Sequence, residues 1–427
     1  MTTSEAVRPL RHLVAGDWAE GGGDELVDTN PARPAEVVAR GALADRADLD
    51  RAVAAARRAY PGWAATPHAA RGAILTRAAE ILERNAGAWG QELSREEGKT
   101  LGEGVGEVRR AGEILRYYGA EAQRPQGEVF ASPRVGERIH VVRRPIGVVA
   151  VVTPFNFPIA IPAWKIAPAL SYGNVVVWKP ATAVPLLASR LAEALVEAGL
   201  PEGVLALLIT GGAVGNDLVT HEGVDAVTFT GSTPVGRRLI ALCGELGRPI
   251  QTEMGGKNAA AVLADADLEL AVDDVVAGAF RSSGQKCTAT SRLIVAEQVA
   301  DDLLGMLVER TRALPVGDPL AEGVFLGPVI SAPARDGIQA AVDRGYGGPA
   351  STCSPAATPT GTRSWRGARS SRRPWSSWPA TTRCGATSCS GRCLPCAARR
   401  TTGPRSTWST TASTACRRRS SPTAWPR

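Results

Sequence analysis

The sequence predicts an α/β fold centred on a parallel β-sheet with helices on both faces. Three observations lead there. Short apolar runs recur from Gly147 onward, each followed by a segment whose apolar positions have helical spacing. The runs are continuously apolar rather than alternating, as strands buried on both faces are. The chain of 427 residues is 44% hydrophobic, enough for a large core and too apolar for a disordered or collagen-like protein.

Residues 46–123 read as helices, with Ile74, Ala78, Ile81 and Leu82 on one stripe and Val108, Ile114 and Leu115 on another. An alternating stretch from Val129 to Val142 follows, punctuated by Pro133 and Gly136, and predicts an extended hairpin arm. The expected strands are then Gly147–Thr153, Asn174–Trp178, Val204–Thr210, Ala226–Thr230 and Ala259–Leu263. Between the second and third lies an amphipathic helix with Leu187, Leu191 and Leu195 on one face, stopped by Gly199-Leu200-Pro201. No internal repeat is present.

The formal net charge of +7 is not spread evenly. Residues 345–427 hold 14 Arg and no Lys, Asp or Glu, so 1–344 carries 35 basic and 42 acidic residues, a balance of −7. The same 83 residues lack Val, Ile, Phe and Met, and contain five of the ten Trp and six of the eight Cys. A basic nucleic-acid-binding tail accounts for the arginines but not for the missing lysines. A metal site on Cys384, Cys389, Cys393 and Cys396 has no periodic segment to hold it. Out-of-frame translation of a GC-rich gene accounts for all of it. Back-translated and read one frame over, residues 374–393 spell LVVLAGDDPLWRDELFGPV and residues 406–422 spell DLVNDSEYGLSAALFT. The tail is therefore expected to have no fold.

Cys243 and Cys287 are the two cysteines of the first 344 residues, a usage that suits a reducing compartment. The N-terminus has no apolar leader, and the most apolar stretch, Val148 to Trp164, is broken by Asn156 and three prolines. A cytoplasmic protein without membrane or nucleic-acid partners is the expectation.

Five residues or turns are candidates for chemistry. Strand Ala226–Thr230 runs into Gly231-Ser232-Thr233-Pro234-Val235-Gly236 and a helix, which suits either a pyrophosphate or an ordinary strand-to-helix turn. Lys179, at the end of a strand, sits either where ligands bind in parallel sheets or on plain surface. Cys287, in SSGQKCT, has the polar neighbours of an accessible thiol, and Lys286 favours its thiolate. Glu253, in EMGGKN, precedes a glycine turn and is otherwise a solvated carboxylate. Asn156 interrupts an apolar run, so its amide either caps structure or faces a substrate. The four histidines have no zinc-ligand spacing and no metal site is expected; a base for Cys287 must be a carboxylate.

In order, TPFNFP, WKP, FTGS-x-x-VG, EMGGKN and GQKCT resemble the signature set of the aldehyde dehydrogenase superfamily, with 34 residues from Glu253 to Cys287. Asn30-Pro31-Ala32, Glu97-Gly98-Lys99 and Gly327-Pro328-Val329 fit the same pattern, and the resemblance covers about residues 10–344. It implies a dinucleotide-binding domain (1–123 and 147–252), an oligomerisation arm (124–146) and a catalytic α/β domain (253–344), truncated where the tail begins.

By that resemblance Cys287 is the nucleophile, Asn156 the oxyanion donor and Glu253 the base that activates water for thioester hydrolysis. Lys179 and Thr182 face the adenine ribose of NADP or NAD, with Thr153, Pro154, Phe155, Gly231, Ser232 and Gly236 along the cofactor. The substrate is a small aldehyde, and the intact parent is a homodimer or homotetramer. The run GVVAVVTPFNFPIAIPAWKIAPAL is similar to bacterial enzymes acting on semialdehydes such as 2,5-dioxopentanoate; aromatic aldehydes such as benzaldehyde fit comparably.

Two departures stand out. Thr182 occupies the position where NAD-preferring members carry Glu, so NADP is expected to serve at least as well as NAD. The later E-[IL]-F-G-P motif is absent from the chain and returns, as ELFGP, in the shifted frame around Thr387 and Ser388.

Overall fold

The computed structural model describes residues 7–346; the expectations for the tail fall almost wholly on 347–427, outside the described residues. The chain opens with five short strands that the apolar pattern did not announce: β1 (Arg8–Pro9), β2 (His12–Val14), β3 (Asp17–Ala19), β4 (Glu25–Thr29) and β5 (Val37–Ala42). They are too short and too charged to show a period of two. The expected helical block resolves into α1 (Arg46–Ala65), α2 (His68–Arg84), α3 (Ala86–Glu97) and α4 (Leu101–Gly119). Capping boxes start α1 at Asp45 and Asp48 and α4 at Thr100 and Glu103. Gly98, at φ +95°, ends α3 in the left-handed conformation that glycine adopts freely.

The arm is an antiparallel hairpin of β6 (Gly127–Ala131) and β7 (Arg138–Val142), in register from Gly127 opposite Val142 to Ala131 opposite Arg138. Every residue of both strands is exposed, including Val129, Phe130, Ile139 and Val141.

Alternation then proceeds through β8 (Val148–Val152), α5 (Ala160–Ser171), β9 (Val175–Lys179), α6 (Pro185–Glu197) and β10 (Leu205–Leu207). It continues with α7 (Gly212–Thr220), β11 (Ala226–Gly231), α8 (Thr233–Glu245) and β12 (Ile250–Met254). These strands form a seven-stranded sheet in the order β12-β11-β8-β9-β10-β2-β3. The expectation of a parallel sheet needs correcting at one edge. β12 through β10 are parallel, but β2 pairs antiparallel with β10 and β3 antiparallel with β2. The expected strand Val204–Thr210 is shortened because its end bonds elsewhere: Ile209 N–H to the His12 ring and the Thr210 hydroxyl to Ala44 O. β12 also pairs with β11 as far as Met254 opposite Gly231, so the sheet runs two residues past 252 before turning at Gly255-Gly256.

Beyond that turn lie β13 (Asn258–Val262), α9 (Leu268–Phe280), β14 (Thr290–Val295), α10 (Ala300–Arg312) and α11 (Ala332–Tyr346). β13 and β14 pair in parallel as a separate sheet of two strands among the described residues. The apolar interior falls into two clusters. One runs from Leu10 to Cys243 and fills both faces of the large sheet; the other links Val262, Val272, Val276, Leu293, Leu303 and Leu307.

Candidate active site

The strand order places a crevice before any side chain is considered. From β8 the chain moves outward through β9 and β10, then returns to β8's other side with β11 and β12. The C-terminal ends of β8 and β11 therefore flank a topological switch point, where parallel sheets bind ligands. Thr153 follows β8, Lys179 ends β9, Ser232 follows β11 and Glu253 lies near the end of β12. Residues 21 to 100 positions apart meet along one edge because the strands are parallel.

Ser232 is the N-cap of α8; it is exposed and its hydroxyl makes no capping bond. No side-chain cap occupies the start of this helix, which follows directly on the C-terminal end of β11, and an uncapped helix start is a place that accepts an anionic pyrophosphate. Gly236 is needed for packing, since a Cβ there would lie 2.5 Å from Met254 Sδ. At Gly231 a Cβ would meet the Phe229 ring at 2.5 Å. Lys179 is half-buried, its Nζ donating to Pro180 O at 3.0 Å, and burial pushes its pKa down to about 8. Its stem lies against Gly215 of α7, where a Cβ would sit 3.1 Å from Cε. Thr182 lies half-buried in the turn between β9 and α6. Thr153 differs from its neighbours: it is buried, and its hydroxyl accepts from Trp178 Nε1 at 2.9 Å. That bond aims its side chain at the sheet. Pro154 and Phe155 are half-buried on the loop after it. Glycines, an open helix N-terminus and a recessed cation together fit a dinucleotide.

Asn156 and the Cys287 loop come from different apolar clusters and are joined directly. Asn156 Nδ2 donates to Gln285 O at 2.6 Å, two residues before Cys287, while Asn156 Oδ1 is buried without a partner. Cys287 is exposed, and its carbonyl accepts from Asn258 Nδ2 at 2.7 Å. A Cβ on Gly256 would lie 3.7 Å from that carbonyl, so the EMGGKN turn lies against the cysteine loop.

Glu253 is exposed, and Oε1 accepts from Gln251 Nε2 at 2.9 Å. Gln251 Oε1 in turn accepts from Lys165 Nζ at 2.9 Å and from the Thr228 hydroxyl at 2.6 Å. An ammonium can only donate, so Lys165 fixes the amide's NH₂ toward Glu253. Burial pushes the pKa of Lys165 down to about 8, opposed in part by Glu253.

A buried ionic cluster supports the loops. Lys99 Nζ donates to Glu107 Oε2 at 2.6 Å and to Asn156 O at 2.8 Å, and lies 4.2 Å from the Phe157 ring centre. Glu107 Oε1 accepts from the N–H groups of Ile159 and Ala160 at the start of α5. Glu97 beside it is held near pH 8 by burial, with Lys99 pulling the other way. Gly98 brings three sequence segments together, its Cβ position lying 3.0 Å from Pro328 Cγ and 3.1 Å from Pro31 Cγ.

Sequence reasoning missed Lys165, Gln251, Glu103 and Glu107. One signal was available. The chain has only five lysines: Lys99, Lys179, Lys257 and Lys286 lie in or beside these loops, and Lys165, within α5, reaches Thr228 of β11 and Gln251 of β12. Where arginine supplies nearly all other positive charge, a retained lysine marks a place needing a compact ammonium. Among the described residues no group of His, Cys, Asp and Glu could hold a metal ion, and no helix is long and apolar enough to cross a membrane.

The sequence profile of the aldehyde dehydrogenase family matches residues 18–357. The 2,5-dioxopentanoate dehydrogenase of Saccharolobus solfataricus is 43% identical over 320 residues, 74% of this chain and 67% of the relative. The alpha-ketoglutaric semialdehyde dehydrogenase of Bacillus subtilis is 42% identical over 336 residues, 78% of this chain and 69% of the relative. An NAD-dependent benzaldehyde dehydrogenase from Corynebacterium glutamicum superposes with a TM-score of 0.74 at 37% identity, over 78% of this chain and 73% of that one. With a profile match over most of its length and relatives above 40% identity, the chain belongs to the aldehyde dehydrogenase family.

Proposed function

We propose that the fold of this chain is that of an enzyme oxidising an aldehyde to a carboxylic acid with NAD or NADP, impaired by the change of frame near residue 345. The observation that carries the reading is the bond from Asn156 Nδ2 to Gln285 O, which sets an amide donor beside the loop of an exposed cysteine. Cys287 Sγ adds to the aldehyde carbon, and the oxygen's developing charge is met by the second N–H of Asn156 and the Cys287 backbone N–H. The nicotinamide, when bound, supplies the acceptor for the hydride this oxidation releases. Glu253 takes a proton from the water that attacks the resulting thioester, freeing the acid and the Cys287 thiol. Lys179, Thr182 and Ser232 hold the adenosine end and the pyrophosphate.

The relatives' substrates make a semialdehyde such as 2,5-dioxopentanoate the first choice, with an aromatic aldehyde second. Thr182 can hydrogen-bond a 2′-phosphate, so NADP serves at least as well as NAD. The exposed arm pairs with another subunit in the intact parent, a cytoplasmic dimer or tetramer. The domains divide as 1–123 with 147–252, 124–146, and 253–344.

A second reading has an observation of its own. Leu263, Leu270, Ile294 and Val316 are exposed around a sheet with two strands among the described residues. That surface suits a cofactor-binding remnant with little turnover and poor solubility. Sequencing the gene across codons 335–355 and assaying both frames separates the two. The restored frame is expected to oxidise 2,5-dioxopentanoate with either cofactor while the present chain does not. Monodisperse, active protein from the present chain would refute the impairment, and an inactive restored frame the enzyme reading.

A further inference from the structure

The first turns of α4 hold both loops of the candidate oxyanion pocket. On one side, Lys99 and Glu107 fix the Asn156 carbonyl and the start of α5. On the other, Glu103 Oε1 accepts from the Ser282 N–H at 2.7 Å and the Ser282 hydroxyl at 3.3 Å. Its second oxygen accepts from the Thr100 N–H and hydroxyl at 3.2 and 2.9 Å. Glu103 and Glu107 are one helical turn apart, so neighbouring carboxylates on one rigid element grip segments from the two apolar clusters.

The grip on the cysteine side falls where it is needed. Ser282 and Ser283 are consecutive non-glycine residues at φ +52° and +53°, a conformation side chains seldom hold unsupported. Both are buried. Ser283 is held by its hydroxyl donating to Gly327 O at 2.7 Å, and Gln285 by its Oε1 accepting from Ile330 N–H at 3.0 Å. Ser282 is held by Glu103. Two residues after the pair, the Gln285 carbonyl receives Asn156, and Cys287 follows.

We infer that Glu103 is a positioning residue for acyl transfer at Cys287: it ties the left-handed Ser282-Ser283 turn to the helix that anchors Asn156, and so sets the thiol against the amide donor. The inference rests on the reading of Cys287 as nucleophile and Asn156 as oxyanion donor. We place the work in acceptor geometry, since Glu103 receives the neutral Ser282 N–H and hydroxyl, and the variants below separate this from the pull of its charge on Lys99 and Lys286.

The full chain allows a test that needs neither cofactor nor turnover. 4-Nitrophenyl acetate acetylates a thiol: an S–C bond forms, the ester C–O bond breaks, 4-nitrophenolate leaves and the thiol proton goes to solvent. That reaction uses an oxyanion hole; alkylation by iodoacetamide does not. The ratio of the two rates at Cys287, read by peptide mass spectrometry, therefore reports pocket geometry and not mere access. N-acetylcysteine amide gives the reference ratio, and protection of the buried Cys243 reports folding.

Asn156→Ala is expected to bring the Cys287 ratio down to the reference. Glu103→Ala and Glu103→Asp are expected to lower it about tenfold, the second by withdrawing the carboxylate from Ser282 while keeping its charge. Glu103→Gln, which keeps an acceptor at the same reach, is expected to restore it. Asp restoring and Gln failing would assign the effect to charge and overturn the inference, as would a wild-type ratio in Glu103→Asp. If Glu103→Ala exposes Cys243, the Asp and Gln pair decides alone. A wild-type ratio at Cys287 no higher than the reference, insensitive to Asn156→Ala, overturns the underlying reading and the inference with it.

Discussion

The two apolar clusters are built on the same βα alternation and end in different condition. Around the large sheet, β8 and β9 are buried along nearly their whole length, and α1 and α5 cover them, with Leu49, Val53, Ile166 and Leu170 fully or almost fully buried. Around β13 and β14 the interior is a single layer between α9 and α10, and Leu263, Leu270 and Ile294 face outward. A sheet strand is stabilised by neighbours on both edges and both faces, so a unit of two strands holds little by itself. Among the described residues, the strand ends that carry Lys179 and Ser232 therefore belong to a seven-stranded sheet, whereas the loop of Cys287 leads into a sheet of two strands.

The largest effect should come from chemistry in the second unit. In a chain carrying the alternative frame from about residue 345, Cys287→Ser is expected to cut aldehyde oxidation by about a thousandfold with the unfolding midpoint unchanged, read by steady-state rates and thermal melts. A loss of stability instead would make Cys287 a packing residue.

Core truncation sharpens the contrast. Leu191 and Leu293 are both fully buried. Leu191→Ala should cost about 3 kcal/mol in the cooperative denaturant transition of the present chain. Leu293→Ala should move that transition by less than about 1 kcal/mol, because its unit unfolds separately. Equal losses would show one cooperative unit.

The pH response belongs to the first unit. Burial raises the pKa of Asp28 to about 8, opposed in part by its hydrogen bond with Glu96, and Glu96 itself is raised by burial and by Asp28. A carboxyl whose folded pKa is raised contributes stability below its unfolded pKa near 4 and loses it as pH climbs through 8. Lys165 and Lys179, lowered to about 8, return stability only above that pH. Denaturant stability should thus fall between pH 5 and 8. Asp28→Asn should flatten the fall by on the order of 2 kcal/mol. An unchanged slope would place the titration elsewhere.

The smallest effect concerns cofactor choice. Thr182→Glu should shift the ratio of NADP to NAD dissociation constants about tenfold toward NAD, through repulsion of the 2′-phosphate. Binding to the present chain is the better assay, since the first unit holds this end of the crevice. No shift would remove Thr182 from the ribose site.

Much of this was legible locally. Continuous runs such as VVAVV and VVVWK announce buried strands, and the alternation around Val129 and Val141 announces the arm. Lys179, Ser232 and Glu253 stand out at strand ends or glycine turns, Asn156 as a polar break in an apolar run and Cys287 by the polar neighbours of its loop. Thr153 shows the limit of that rule: its position is as expected, but its hydroxyl serves Trp178.

By itself the sequence determined the strand-helix alternation, the hairpin and the family, and it offered Cys287, Glu253, Asn156, Lys179 and Ser232 as candidates, because apolar period, turn chemistry and short motifs are properties of neighbouring residues. Only the tertiary structure decided that β2 and β3 close the sheet antiparallel, that Lys165 turns the Gln251 amide toward Glu253, and that Glu103 reaches Ser282. Those outcomes depend on polar partners such as Glu103 and Ser282, 179 residues apart, and no local period encodes which buried charge meets which backbone N–H.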